Sequence, residues 1–104
     1  MAQAVGILEV YGLAAAFAAG DAGCKAADVT MEPFDKNKPG NADALKVPLI
    51  VTVKFRGSVD AVRAALEAAQ EAAKKVSGVV TMHEIARPEE ETEKMLRLKA
   101  FDKN

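Results

Sequence analysis

Val47-Pro48-Leu49-Ile50-Val51-Thr52-Val53-Lys54-Phe55-Arg56-Gly57-Ser58-Val59-Asp60-Ala61-Val62 contains a change of hydrophobic period from two to 3.6, and that change decides the fold. As far as Gly57 the residues alternate. Val47, Leu49, Val51, Val53 and Phe55 point one way and Pro48, Ile50, Thr52, Lys54 and Arg56 the other, as in a strand with one face in a core. Ser58 then offers a helix N-cap, with Asp60 in the positive first turn. Val59, Val62, Leu66, Ala69, Ala73 and Val76 follow along one helical stripe. Lys74 and Lys75 suit the negative end, and Gly78 stops the helix.

Downstream, Val79 to Ala86 reads as another strand. Pro88, at the first helical position and followed by Glu89, Glu90 and Glu91, opens a last helix over about 88–99. Upstream, Ala4 to Tyr11 is a short apolar run closed by Gly12 and reads as the first strand. Leu13 to Ala27 is an alanine-dominated helix, with Leu13, Phe17 and Cys24 spaced along one apolar face. Gly20 and Gly23 weaken it by about 1 kcal/mol each relative to alanine, which points to a close-packed neighbour. Asp28 to Asp35 reads as a short strand, and Pro33, lacking a ladder donor, belongs at an edge or a strand end. Lys36 to Lys46 carries Pro-Gly and asparagine turn chemistry and reads as a long loop.

Strand, helix, strand, strand, helix, strand and a terminal helix is the split βαβ order of an α+β, ferredoxin-like βαββαβ domain. The expectation is a four-stranded antiparallel sheet with two main helices on one face and a short C-terminal helix. The opposite face, with Val5, Ile7, Glu9, Tyr11, Ile50 and Lys54, is too apolar to be wholly solvated. Partial cover by the terminal helix or a neighbouring subunit is expected.

Residues 1–104, at 11.0 kDa, suffice for one domain. Half the residues are hydrophobic and 28% are charged, an ordinary globular balance. Fourteen Lys and Arg against fifteen Asp and Glu leave no nucleic-acid footprint. One Cys and one His exclude an internal disulfide and fall short of a zinc ligand set. The Met-Ala-Gln-Ala-Val-Gly start lacks a signal peptide's basic and apolar regions, and no run reaches the roughly 20 apolar residues of a membrane span, so a cytosolic protein is expected. About one residue in five is alanine and only 5% are aromatic, so the small domain buries little area per side chain and gains by oligomerising.

Candidate chemical groups are isolated. Cys24, on the apolar helix stripe without a second Cys, reads as a small buried hydrophobe. His83 has no visible orienting partner and reads as a packing or surface side chain. Glu32 and Asp35 read as solvated loop charges, Glu89 to Glu91 as helix-dipole chemistry, and Gly6 with Gly12 make no phosphate-loop spacing. Neither an enzyme nor a cofactor-binding protein is expected.

The segments Ala4-Val5-Gly6-Ile7-Leu8-Glu9-Val10-Tyr11-Gly12-Leu13, Gly20 to Val29, Val51 to Val62 and Ile85-Ala86-Arg87-Pro88 together resemble single-domain bacterial microcompartment shell proteins over nearly the whole chain. That resemblance implies flat homo-hexamers that tile edge to edge, with other shell proteins, around encapsulated enzymes in the bacterial cytoplasm. It implies edge contacts for Lys25, packing against its two-fold mate, and for Arg87, donating to backbone groups of the adjoining hexamer. The long aliphatic stem of Lys25 and the fixed donor fork of Arg87 suit those roles.

The departure from the family lies at the central pore, where a short glycine-rich turn is replaced here by a segment with roughly nine extra residues. Lys36, Lys38, Pro39, Gly40, Asn41, Asp43 and Lys46 are the pore-loop candidates. Three lysines against Asp35 and Asp43 give +1 per chain, so a six-fold ring concentrates positive charge that favours anionic or polar metabolites if the channel is open. The competing reading is a free-standing, dimeric or trimeric module that senses a small ligand through the same loop.

Overall fold

The computed structural model describes residues 3–98. Strands β1 (Ala4–Tyr11), β2 (Thr30–Asn37), β3 (Ile50–Gly57) and β4 (Val79–Ile85) alternate with helices α1 (Leu13–Ala26), α2 (Val59–Val76) and α3 (Glu90–Leu96) in the order β1, α1, β2, β3, α2, β4, α3. The sheet order is β2-β3-β1-β4 and every pairing is antiparallel. This is the ferredoxin-like arrangement, with β2 and β4 as the outer strands.

Both main helices cover one face of the sheet. Phe55, Val53 and Val51 of β3 and Leu8 and Val10 of β1 are fully buried beneath them, together with Val62, Ala65 and Ala69 of α2. Ser58 caps α2 as its sequence requires, its Oγ accepting from the Ala61 N–H at 3.1 Å. Gly78 follows the helix at φ +154°, a backbone setting that disfavours side chains, with the Tyr11 ring 3.4 Å from where a Cβ would stand.

On α1 the buried face differs from expectation. Leu13, Phe17 and Cys24 are exposed, and Ala15, Ala16, Ala19, Gly20 and Gly23 face the core. The reason is distance: a Cβ on Gly23 would stand 2.4 Å from the Phe55 ring. Only the smallest side chains let α1 approach that closely, so size outweighs hydrophobicity. Cys24 is therefore not the buried hydrophobe that its spacing suggested.

β2 spans Thr30–Asn37, two residues later than the expected Asp28 to Asp35, and takes in Lys36 and Asn37, so the connecting segment is 38–49 rather than 36–46. Pro33 is tolerated because β2 is an outer strand whose register shifts between Glu32 and Asp35. Glu32 and Asp35 thus belong to a strand, not to a loop. β3 starts three residues after Val47. α3 is shorter than 88–99: Glu89 is its N-cap, accepting from the Glu91 N–H at 2.7 Å, and Pro88 lies before the cap. Residue 99 lies outside the described residues.

The face opposite α1 and α2 is covered in part by α3, which two strand cations hold, while Ile7, Glu9, Tyr11 and Ile50 stay partly exposed. Lys54 is 3% exposed, and its Nζ donates to the Leu96 and Leu98 carbonyls at 2.7 and 2.8 Å. Arg56 donates from Nη2 to Glu93 Oε2 at 2.6 Å and to the Gln3 carbonyl at 3.3 Å. Its Nη1 is buried with no hydrogen-bond partner among the described residues.

Candidate functional site

The sheet has two chemically distinct ends. At one end β1 and β2 begin and β3 and β4 finish, since Ala4 pairs with Gly57, Val5 with Ile85 and Thr30 with Arg56. Lys25 lies there because α1 ends just ahead of β2, and Arg87 lies there because it follows β4. Both are exposed. Lys25 Nζ donates to Asp21 Oδ2 one helical turn back at 2.7 Å, and this hydrogen bond, then the negative charge itself, raises the lysine pKa. The pair is open to solvent and adds little to fold stability. Pro88 beside Arg87 is buried, which fixes the exit of the chain from β4.

The opposite end carries segment 38–49, running from the end of β2 to the start of β3. A turn at Pro39 receives the Ala42 N–H at 3.1 Å, and a single 3₁₀ turn, Ala42–Ala44, follows with Ala42 buried. The Leu49 carbonyl accepts from the Gly12 N–H at 2.8 Å, tying the segment to the start of α1. Lys38, Gly40, Asn41, Asp43 and Lys46 are exposed, Pro39 is half-buried, and no atom lies within 4 Å of a Cβ built on Gly40. The structure thus brings the loop candidates together at one end, except Lys36, which stands on β2. It places them a full sheet length from Lys25 and Arg87, about 26 Å for an eight-residue strand.

Sequence reasoning placed Lys54 on the face away from the main helices but missed its task there. Burial lowers its pKa, and Asp35 and Glu32 partly restore it. Glu32 stands directly across from Lys54 in the β2–β3 register. The signal was visible: a strand lysine and arginine flanking Phe55, matched by acids around residue 93. His83 is exposed on β4 in a cleft shared with Arg63 and Glu84, and that Glu84 carboxylate accepts from Arg63 Nε at 2.8 and 3.1 Å. No group of three or more His, Cys, Asp or Glu among the described residues could hold a metal ion. No helix among them is long and apolar enough to cross a membrane.

The sequence profile of the BMC domain family matches residues 4–88. The chain is 39% identical over 94 residues to the bacterial microcompartment shell protein PduA of Salmonella typhimurium, covering 90% of each. It is 40% identical over 101 residues to the carboxysome shell protein CcmK1 of Thermosynechococcus vestitus, covering 95% of this chain and 81% of that one. The fold matches a microcompartments protein from Desulfitobacterium hafniense at a TM-score of 0.65 and 23% identity, covering 86% of this chain. The chain spans 44% of the length of that larger protein. The chain belongs to the BMC domain family, the shell proteins of bacterial microcompartments.

Proposed function

We propose that this shell subunit works as a homo-hexamer, with segment 38–49 around the six-fold axis and Lys25 and Arg87 on the rim, and that the hexamers tile into the wall of a compartment in the bacterial cytoplasm. The wall includes other shell proteins and surrounds the enzymes of the compartment. The subunit has no catalysis of its own. The supporting observation is the division of the sheet into a loop end and a Lys25–Arg87 end, about 26 Å apart along the strands. One end serves the axis and the other the contacts between hexamers. Lys38 and Lys46 against Asp43 keep the loop at +1 per chain even with Lys36 on the strand.

Two experiments test this reading. Lys25→Ala is expected to leave soluble hexamers, because the side chain is exposed and its ion pair with Asp21 is solvated, while extended sheets disappear from electron micrographs. Unimpaired sheets would reject the rim role, and two or three copies by light scattering would favour the small-ligand module. Lys38→Glu with Lys46→Glu reverses the sign of the ring and is expected to cut anion flux through reconstituted shells by about tenfold. An unchanged flux would remove the loop from the permeation path.

A further inference from the structure

A cavity of about 390 Å³ lies between segment 38–49 and the body of the subunit, at the loop end of the sheet. Leu45, Lys46 and Val47 form one wall, and Tyr11 from the end of β1 forms the other with Val76 and Ser77 from the end of α2. Backbone bonds hold both walls. The Leu45 N–H donates to the Ala42 carbonyl at 3.1 Å and the Leu49 carbonyl accepts from the Gly12 N–H at 2.8 Å, which fixes the segment on either side of its wall. Opposite, the Tyr11 N–H donates to the Gly78 carbonyl at 3.3 Å and Ser77 Oγ donates to the Tyr11 carbonyl at 2.6 Å. These two bonds join β1 to the end of α2 without drawing on segment 38–49, so the space between the walls stays open.

We infer that this cavity binds a small aliphatic carboxylate, its chain between Leu45, Val47 and Val76 and its oxygens on Lys46. The volume stands at the lower end of small-molecule sites, and the lining has their usual character, aliphatic and aromatic with a few polar groups. Lys46 is the one charged side chain in that lining, and it has no hydrogen bond or ion pair among the described residues. Asp43 of the same segment does not line the cavity. Ser77 has committed its proton to the Tyr11 carbonyl, which leaves the Lys46 ammonium and the Tyr11 hydroxyl as side-chain donors. An anionic oxygen finds donors there, whereas a cation meets a like charge. Lys74 and Lys75 in the last turn of α2 counter the negative end of that helix. The site lies within one subunit and needs no neighbouring copy, so it does not rest on the ring proposed above. An occupant ties segment 38–49 to β1 and α2.

Tyr11 is the only tyrosine and the chain has no tryptophan, so its fluorescence reports on the cavity. Sodium butyrate, titrated at constant ionic strength against sodium chloride, is expected to change that fluorescence saturably. Butyramide, of the same shape but uncharged, is expected to bind about tenfold more weakly, the factor that a charged donor supplies. Lys46→Met is expected to weaken butyrate by the same factor and leave butyramide unchanged, while Lys46→Arg keeps butyrate. Val76→Ser, at a position 51% exposed, is expected to keep the fold and weaken both ligands. Hydrogen exchange across residues 45–47 is expected to slow in saturating butyrate. A response that never saturates, equal binding of butyrate and butyramide, or a folded Lys46→Met variant that binds butyrate as the wild type does would overturn the assignment. Saturable binding with the Lys46 dependence supports the site whatever copy number light scattering gives, so a failure of the ring and a failure of the site are read separately.

Discussion

Gly23→Val is expected to destabilise the subunit by about 3 kcal/mol, with Gly23→Ala in between, measured as the shift in a urea midpoint. A Cβ at this position would stand 2.4 and 2.5 Å from two carbons of the Phe55 ring, closer than real Cβ atoms come. The ring is fully buried and cannot swing aside into solvent. Alanine brings opposing terms: about 1 kcal/mol of helix propensity gained against up to about 3 kcal/mol of overpacking lost. Packing wins, and valine adds two more carbons and a stiff χ1 to the same clash. Gly23 is two residues before Lys25, so any lifting of α1 from β3 also displaces the rim lysine. Sheet assembly is therefore expected to fail in the valine variant even where hexamers survive. A variant as stable as the wild type would mean that α1 does not sit this close to Phe55.

The same contact explains what was legible in the sequence. Alternation from Val47 to Phe55 and the Ser58 cap fixed β3 and α2, because there hydrophobicity and burial coincide: Val51, Val53, Phe55, Val62 and Leu66 are apolar and inside. On α1 they diverge. Its inward residues are alanine and glycine and its outward ones Leu13 and Phe17, so a reading by hydrophobicity selects the wrong face. The glycines at 20 and 23 carried the correct signal, since helix-weakening residues that persist in a helix mark close approach. For β2 the polar Lys36 and Asn37 look like the start of a loop and are not, whereas Pro33, expected at an edge or a strand end, does stand in an outer strand, which absorbs it by shifting register. Proline at 88 and acids at 89–91 located α3, but its first turn is set by the Glu89 side chain rather than by the proline ring. The rim roles proposed for Lys25 and Arg87 come from family likeness alone, because an exposed cation looks the same in sequence wherever it stands.

Lys54→Met is the second large effect, and it acts on α3. The methionine keeps most of the stem volume but removes the ammonium that donates to the Leu96 carbonyl, which the end of the α-helix leaves unbonded, and to the Leu98 carbonyl just beyond it. Bonds from a charged donor contribute about 1.5–3 kcal/mol, offset in part because the variant no longer buries a charge. A net loss of about 1–2 kcal/mol is expected, with hydrogen-exchange protection falling first across Glu90–Leu96. The pH dependence separates the lysine from mere packing. Burial holds the Lys54 pKa below 10.5, with Asp35 and Glu32 only partly countering it. Between that depressed value and 10.5 the unfolded chain keeps a proton that the folded chain has released, so the wild type gains stability as pH rises through the window. Below the window both states are charged and the desolvation penalty is present in full. Above it neither is charged, and the neutral amine still donates to both carbonyls. The urea-midpoint deficit of Lys54→Met relative to the wild type should therefore widen as pH climbs towards 10.5. A deficit that stays constant or narrows would show that the amine of Lys54 is solvated and that α3 is held by Arg56 and Glu93 alone.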